Sequence, residues 1–360
     1  MNVLIDLGSD TATRPSREML AYMVAAPVGD EQRGEDPTVN ALQERVADLL
    51  GQEAALFLPS ATMANEIALK VQTQPGDEVI VDHESHYVTS EAGGPAFLSS
   101  VMLHHVNGER GIFTAQQFIA GVRRHAIHAP RTRLVCVEQT TNRGGGAVWS
   151  LAQLQAIVDK ARERDIRTHM DGSRLLNAVV ASGVDAAAQA GPFDSVTLCL
   201  SKGLGCPVGA LLAGSRDFIE EARRYKHIFG GAMRQAGVLA AAGLYALDHH
   251  VEPLAEDHDL AKSLARRLDG IAGIDVDLRA IETNIVYFDV ARSGMSGTEL
   301  VERLGARGVR MGAWPGETRV RAVTHRDVSA QQIVEVAATV ADVISAYRCE
   351  GVVDPTTLRI

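Results

Sequence analysis

An α/β fold, with a large and mostly parallel sheet followed by a smaller C-terminal α+β domain, is what this 360-residue sequence predicts, on three observations. Short runs rich in Val, Ile and Leu alternate with longer segments of helical period, the pattern of βαβ units. Most of those runs are apolar on both faces, so both faces of the sheet should be covered by helices. Past Asp248 the alternation stops, and the order becomes helix, strand, strand, helix, strand, helix.

Taken in chain order, residues 1–15 have little helical signal until Pro15, which suits the first position of a helix with Arg14 ahead of it, so they read as an N-terminal arm. The large domain spans 16–248. Its strands are expected at 54–58, 78–81, 134–138, 167–171, 196–200 and 210–213, each a short apolar run bounded by turn residues. Its helices are expected at 64–72, 114–125, 151–163 and 216–225, where apolar residues recur at helical spacing, with an Ala-rich helix near 238–247. The polar stretch 248–253, which contains Pro253, breaks the chain. The smaller domain covers 249–350, its last helix running from 330 to 347, and 351–360 is a tail.

Composition narrows the function. Hydrophobic residues at 46% and charged residues at 22% belong to a folded protein rather than a disordered chain. With 35 Lys and Arg against 45 Asp and Glu, the net charge of −10 repels polyanions, so neither nucleic acid nor an anionic membrane is an expected partner. No apolar run approaches the roughly 18 residues that span a bilayer, and the first 13 residues lack a basic stretch followed by an apolar core. The expectation is a cytoplasmic enzyme. Cys136, Cys199, Cys206 and Cys349 form no C-x-x-C pair and have no histidine at zinc-finger spacing, so no metal site and no disulfide framework are expected.

Four familiar motifs fail on inspection. Gly203-Leu-Gly205 follows a strand, but Pro207 removes a backbone donor and opposes the helix that a dinucleotide fingerprint needs. Ser201-Lys202-Gly203 reverses the order of a phosphate-binding Gly-Lys-Ser loop. In His83-Glu84-Ser85-His86 the second histidine comes one residue early for a zinc-protease helix, and Tyr87 occupies its place. Gly294-Met-Ser-Gly297 is no nucleophile elbow.

Three features in order survive. Phe57-Leu-Pro-Ser60-Ala61-Thr62 passes from strand into a helix start, where free N–H groups and hydroxyls suit a phosphate. His169-Met-Asp171-Gly-Ser-Arg174 ends an apolar strand in a carboxylate able to pair with a protonated ring nitrogen. Leu198-Cys-Leu-Ser-Lys202-Gly203 ends the next strand in a lysine, and desolvation there favours the neutral amine that Schiff-base chemistry uses. Together they suggest pyridoxal 5′-phosphate. Each alone also fits a plainer role: helix caps for Ser60 and Thr62, a turn for Asp171, a solvated cation for Lys202.

From Asp6 to about Tyr347 the sequence resembles the low-specificity L-threonine aldolases, pyridoxal-phosphate enzymes with the aspartate-aminotransferase-like, fold type I architecture. The resemblance rests on Asp6-Leu-Gly-Ser-Asp-Thr-Ala-Thr-Arg-Pro15, Ala26-Pro-Val-Gly-Asp30, Gly34-Glu-Asp-Pro-Thr-Val-Asn40 and Glu91-Ala-Gly-Gly94. It continues through Asp171-Gly-Ser-Arg174, Leu200-Ser-Lys-Gly-Leu-Gly205, Gly230-Gly-Ala-Met-Arg-Gln235 and Val323-Thr-His-Arg-Asp-Val328. It implies that Lys202 holds the cofactor as a Schiff base, that Asp171 keeps the pyridine nitrogen protonated and that His86 stacks on the ring. Ser60, Ala61 and Thr62 would cup the phosphate, with alanine where the family usually has glycine. Arg234 would reach the phosphate from a neighbouring subunit, implying a homodimer or homotetramer. Ser9, Arg174 and Arg321 match positions that bind the substrate carboxylate, a task suited to the guanidinium fork.

Two departures stand out. Where the family reads Glu-Asn-Thr-His-Asn, with the histidine on the substrate β-hydroxyl, this chain has Glu138-Gln-Thr-Thr141-Asn142. Where a tyrosine often precedes Gly-Glu-Asp-Pro, it has Arg33. Thr141 can hydrogen-bond a hydroxyl but cannot act as a base near neutrality, which leaves His86, or a water it holds, as the candidate base. The implied reaction is retro-aldol cleavage of L-threonine, L-allo-threonine or a related β-hydroxy-α-amino acid to glycine and an aldehyde. The alternatives are cleavage specialised for aryl or bulky substrates of the phenylserine type, β-elimination on the same scaffold, and cofactor binding without turnover.

Overall fold

The computed structural model describes residues 5–351. The chain divides into two compact units: Thr13 to Leu254, and the residues up to Ala12 joined with those from Ala255 onward. The division falls a few residues past the expected 248/249 boundary because Leu254 is buried in the core of the large unit. The arm is not a separate piece, since β1 (Ile5–Asp6) is a strand of the smaller unit. Residues 1–4 and the expected tail beyond residue 351 lie outside the described residues.

The large unit opens with α1 (Arg17–Val24) and α2 (Pro37–Leu50). Pro15 is not the first helical residue: Ser16 caps α1, its hydroxyl accepting from Met19 N at 3.1 Å. Helix α2, which the sequence reading did not anticipate, starts on Pro37 behind Asp36, whose Oδ1 accepts from the N–H groups of Thr38 and Val39, both at 3.1 Å. Val39, Leu42, Val46 and Leu50 face the core at helical spacing.

Alternation follows: β2 (Ala54–Leu58), α3 (Ala61–Gln72), β3 (Glu78–Asp82), α4 (His86–Thr89), β4 (Met102–Val106), α5 (Ala115–Gly121) and β5 (Thr132–Glu138). It continues with α6 (Leu151–Arg162), β6 (Arg167–Gly172), α7 (Leu175–Ser182), α8 (Ala186–Ala190), β7 (Ser195–Cys199), β8 (Ala210–Gly214), α9 (Arg216–Ile228) and α10 (Gly237–His249). Strand β4 was not anticipated either, because Met102-Leu-His-His-Val106 is half polar, as befits the sheet edge where it lies. Helix α5 stops at Gly121, short of the expected 125, and Arg123 N turns to Thr132 Oγ1 at 3.0 Å.

Seven strands form one sheet in the order β2-β8-β7-β6-β5-β3-β4. Strands β3 to β7 run parallel, and β8 is antiparallel to both of its neighbours. Every residue of β3, β7 and β8 is buried, which explains why their apolar residues occur on both faces.

The smaller unit contains α11 (Leu254–Asp269) from its second residue on, β9 (Ile285–Asp289), α12 (Gly297–Ala306), β10 (Val309–Arg310), β11 (Gly312–Ala313), β12 (Arg319–Val323) and α13 (Ala330–Gly351). β1 pairs in parallel with β10, and β11-β12-β9 form an antiparallel sheet. One strand, not two, precedes α12. The second shrinks to a single bridge between Asp275 and Asp289, because Asp277 caps a short 3-10 turn at Leu278–Ala280.

Candidate active site

Parallel strands direct their carboxyl ends to one edge of the sheet, so β5, β6 and β7 deliver their last residues side by side. Asp171 on β6 stands in register with Glu138 on β5 and with Thr197 on β7. Lys202 follows β7 directly. Its backbone is fixed by two donors to its carbonyl, Thr13 Oγ1 at 2.7 Å and Gly205 N at 2.8 Å, a turn that places Gly205 at φ 73°. The Lys202 side chain is half-buried.

Asp171 is 2% exposed. Its Oδ1 accepts from Ser173 N at 3.0 Å and its Oδ2 from Asn65 Nδ2 at 2.9 Å. Burial opposes the charge, but Lys202, His86 and these two hydrogen bonds outweigh it and hold the carboxyl below its ordinary value. The result is a buried carboxylate that stays ionised.

His86 opens α4, placed there by the turn that ends β3. Asp82 Oδ1 accepts from Glu84 N at 2.9 Å, and Asp82 Oδ2 accepts from Gly108 N at 2.8 Å. His86 Nδ1 lies 2.8 Å from Glu91 Oε1. Burial works against protonation, yet Glu91, Asp171 and Glu138 together raise the imidazole above its usual value. Because Glu91 Oε1 accepts from Nδ1, the neutral ring keeps the lone pair of Nε2 for other work.

Behind these groups the polar contacts share one direction. Gln72 Nε2 donates to Ser195 Oγ at 2.8 Å, and that hydroxyl lies 2.7 Å from His169 Nδ1. His169 Nε2 lies 3.4 Å from Asn65 Oδ1, and the Asn65 amide donates to both Asp171 and Glu91 at 2.9 Å. Burial drives His169 down to about 4, so it is neutral and carries one N–H, which this order places on Nε2. His86, Glu91 and Asp171 each also offer one ligand atom within 4.8 Å of the others, and Glu91 Oε1 and both Asp171 oxygens already accept hydrogen bonds.

The other expected positions divide. Ser60 caps α3, its hydroxyl accepting from Met63 N at 3.2 Å, and Ala61 and Thr62 form the first turn, whose N–H groups have no carbonyl within the helix. Arg174, buried at the start of α7, donates from Nη1 to Asn142 Oδ1 at 3.4 Å, while its N–H reaches Gln139 O at 3.3 Å. Arg234 is exposed and pairs with Asp30 of its own chain at 3.1 Å. Arg33, also exposed, lies 3.9 Å from the same Asp30. Ser9 and Arg321 belong to the smaller unit: Ser9 Oγ accepts from Thr11 Oγ1 at 2.9 Å, and Arg321 Nη1 donates to Gly8 O at 3.3 Å.

Thr141 is buried, and its hydroxyl has no hydrogen-bond partner among the described residues. Two glycines enclose it. A Cβ on Gly111 would stand 2.9 Å from Thr141 Cγ2, and one on Gly144 would collide with Thr141 Oγ1.

Sequence reasoning gave no role to four residues that the structure brings to this site: Asn65, Glu66, Glu91 and Glu138. Burial pushes Glu138 up to about 7, aided by Asp171 and opposed by His86, Lys202 and Arg174. Its place ahead of Gln139-Thr-Thr141 and the Glu91-Ala-Gly-Gly94 motif were the available signals; nothing local marks Asn65 or Glu66.

A profile of the Beta-eliminating lyase family matches residues 6–291. The chain is 45% identical to a low specificity L-threonine aldolase of Escherichia coli (strain K12) over 336 residues, 93% of this chain and 98% of that one. It is 37% identical to low-specificity L-threonine aldolase 1 of Arabidopsis thaliana, covering 91% of this chain and 93% of the relative. Among solved structures, a Leishmania major threonine aldolase superposes with a TM-score of 0.80 at 18% identity, over 94% of this chain and 99% of that one. A Sphingomonas wittichii serine palmitoyltransferase superposes with a TM-score of 0.74 at 16% identity, over 96% and 88%. The two structural likenesses bear on the fold, which is that of the fold type I enzymes.

Proposed function

The chain belongs to the low-specificity L-threonine aldolases within the beta-eliminating lyase family, and from that membership we propose that Lys202, Asp171 and His86 are its catalytic groups. The enzyme is a pyridoxal 5′-phosphate-dependent carbon–carbon lyase that cleaves L-threonine and related β-hydroxy-α-amino acids to glycine and an aldehyde. One observation carries the residue assignment. A buried, ionised Asp171 shares the carboxyl edge of the sheet with Lys202 and His86, and the electrostatics of the three are linked.

The donor set fits the cofactor. Lys202 offers the amine, the first turn of α3 at Ser60, Ala61 and Thr62 offers N–H groups for a phosphate, and Asp171 offers the anion that keeps a pyridine nitrogen protonated. Bound pyridoxal 5′-phosphate supplies an electron sink for the pair left on Cα when the Cα–Cβ bond breaks. The protein does the rest. Arg174 holds the substrate carboxylate. His86 Nε2 takes the β-hydroxyl proton. Thr141 offers a hydroxyl, not a base. Arg234 serves the phosphate of a neighbouring copy in a homodimer or homotetramer, and the enzyme works in the cytoplasm.

The test is an aldehyde-release panel over threonine, allo-threonine, phenylserine and serine, with Lys202→Ala as the blank. Glycine and acetaldehyde from the first two, absent in the blank, are expected. Fast cleavage of phenylserine alone points to the aryl-specialised reading. Pyruvate from serine in place of aldehyde points to β-elimination, and no product from any substrate to a binding protein.

A further inference from the structure

Glu66 and Glu91 are buried neighbours, close enough for a side-chain hydrogen bond between the carboxyls, and neither the cofactor site nor the substrate clamp uses the pair. Glu66 is 2% exposed, and neither of its oxygens has a hydrogen-bond donor among the described residues; Glu91 Oε2 has none either. Gly94 makes room for the pair, since a Cβ there would collide with Glu66 Oε1. Two carboxyls buried together with three oxygens lacking donors cannot both be anions, so one proton lies between them.

The neighbours decide which group keeps that proton. Glu91 Oε1 accepts two hydrogen bonds, from His86 Nδ1 at 2.8 Å and from Asn65 Nδ2 at 2.9 Å. Glu66 accepts none. Hydrogen bonds to the charged form favour it, so the negative charge settles on Glu91 and the proton on Glu66.

We propose that Glu91 is the positioning residue that makes His86 a proton acceptor, and that it works as an anion because protonated Glu66 donates to it from behind. The inference rests on the reading that His86 is the base. A carboxylate on Nδ1 fixes the tautomer and steadies the imidazolium once Nε2 has taken a proton. A carboxyl there would do neither. Glu66 thus acts as a neutral donor that lets a second buried acid remain charged. Asn65 joins this pair to Asp171, so the anion beside His86 and the anion proposed for the pyridine nitrogen are held by one side-chain amide. Burial and the adjacent Glu91 push Glu66 up to about 9, in keeping with a retained proton.

The groups acting on His86 are Glu91, Asp171 and Glu138; Lys202 bears on Asp171 and Glu138, and the Asp82–His83 pair closes the turn ahead of α4. Tyr87 and Cys136, buried beneath, stay neutral because burial raises both well above their usual values.

Two isosteric variants separate the roles. In Glu66→Gln the amide still donates to Glu91, so His86 keeps its titration midpoint, read by imidazole 15N NMR of the holoenzyme, and kcat/KM stays within about threefold. In Glu91→Gln the anion is gone: the His86 midpoint moves to lower pH, kcat/KM falls at least about tenfold, and the acid limb of its pH profile moves the same way. The reverse pattern, or equal shifts of His86 in both variants, overturns the proposal. If Glu91→Gln does not fold, Glu66→Gln decides alone, since a shifted His86 midpoint there is enough to reject it. His86→Gln tests the underlying reading separately: retained cleavage removes His86 as the base while the NMR result on the carboxyl pair still stands.

Discussion

The two ends of the same parallel strands treat charge in opposite ways. At the amino ends, Arg133 and Arg167 on β5 and β6 pair with Asp165 at 3.4 Å and Asp194 at 3.0 Å, and both arginines border an open groove. At the carboxyl ends, Asp171, Glu91 and Glu66 are enclosed, and their oxygens meet amides, an imidazole or each other. The residue types are alike, but water compensates the first set while the second must be satisfied by protein. Protonation states therefore depend on neighbouring groups at the end where burial excludes water.

The sharpest way to break this contrast is Asp171→Asn. With the anion gone, cleavage of threonine should fall on the order of a hundredfold to a thousandfold in steady-state assays, while the amide keeps the side chain's shape. A milder loss would make the carboxyl end no more special than the amino end.

Thr141→His comes next. With Gly111 and Gly144 against the threonine, a ring overpacks the pocket and should cost about 1–3 kcal/mol in chemical denaturation, rather than simply supplying a second base. Unchanged stability together with faster cleavage would mean that the enclosure yields.

Glu66→Gln sharpens the contrast through pH. Glu66 titrates at about 9 in the fold against 4.5 ordinarily, so across that window the native state holds a proton that the unfolded chain has lost. Stability from this group accordingly declines as pH rises from about 4.5 to about 9. The glutamine variant should lose that decline, gaining on the wild type as denaturation is moved to alkaline pH. Parallel curves would place the proton elsewhere.

The smallest effect belongs to the amino end. Arg167→Ala breaks a pair whose side chains are 56% and 36% exposed, and should change stability by less than about 1 kcal/mol. A larger loss would erase the difference between the two ends.

Much of this was legible in the chain itself. The apolar runs that became β2, β3, β5, β6, β7 and β8 were visible because strands buried on both faces cannot alternate. Strand β4 and helix α2 were not, the first because an edge strand carries polar residues, the second because its start depends on the Asp36 cap more than on a long apolar run. Lys202 and Asp171 could be singled out as candidates because strand ends in a parallel sheet converge in a predictable place.

By itself, then, the sequence determined the α/β architecture and the family and offered Asp171 and Lys202 as candidates, since all of these follow from local pattern and order. Only the tertiary structure decided that Thr141 is walled in by glycines and that Gln72, Ser195, His169 and Asn65 lead to Asp171 and Glu91. It also enclosed Glu66 and Glu91, the two carboxyls proposed to share a proton. Those outcomes depend on which polar atoms lose their water together, and residues scattered along the chain become each other's solvent only when the fold closes over them.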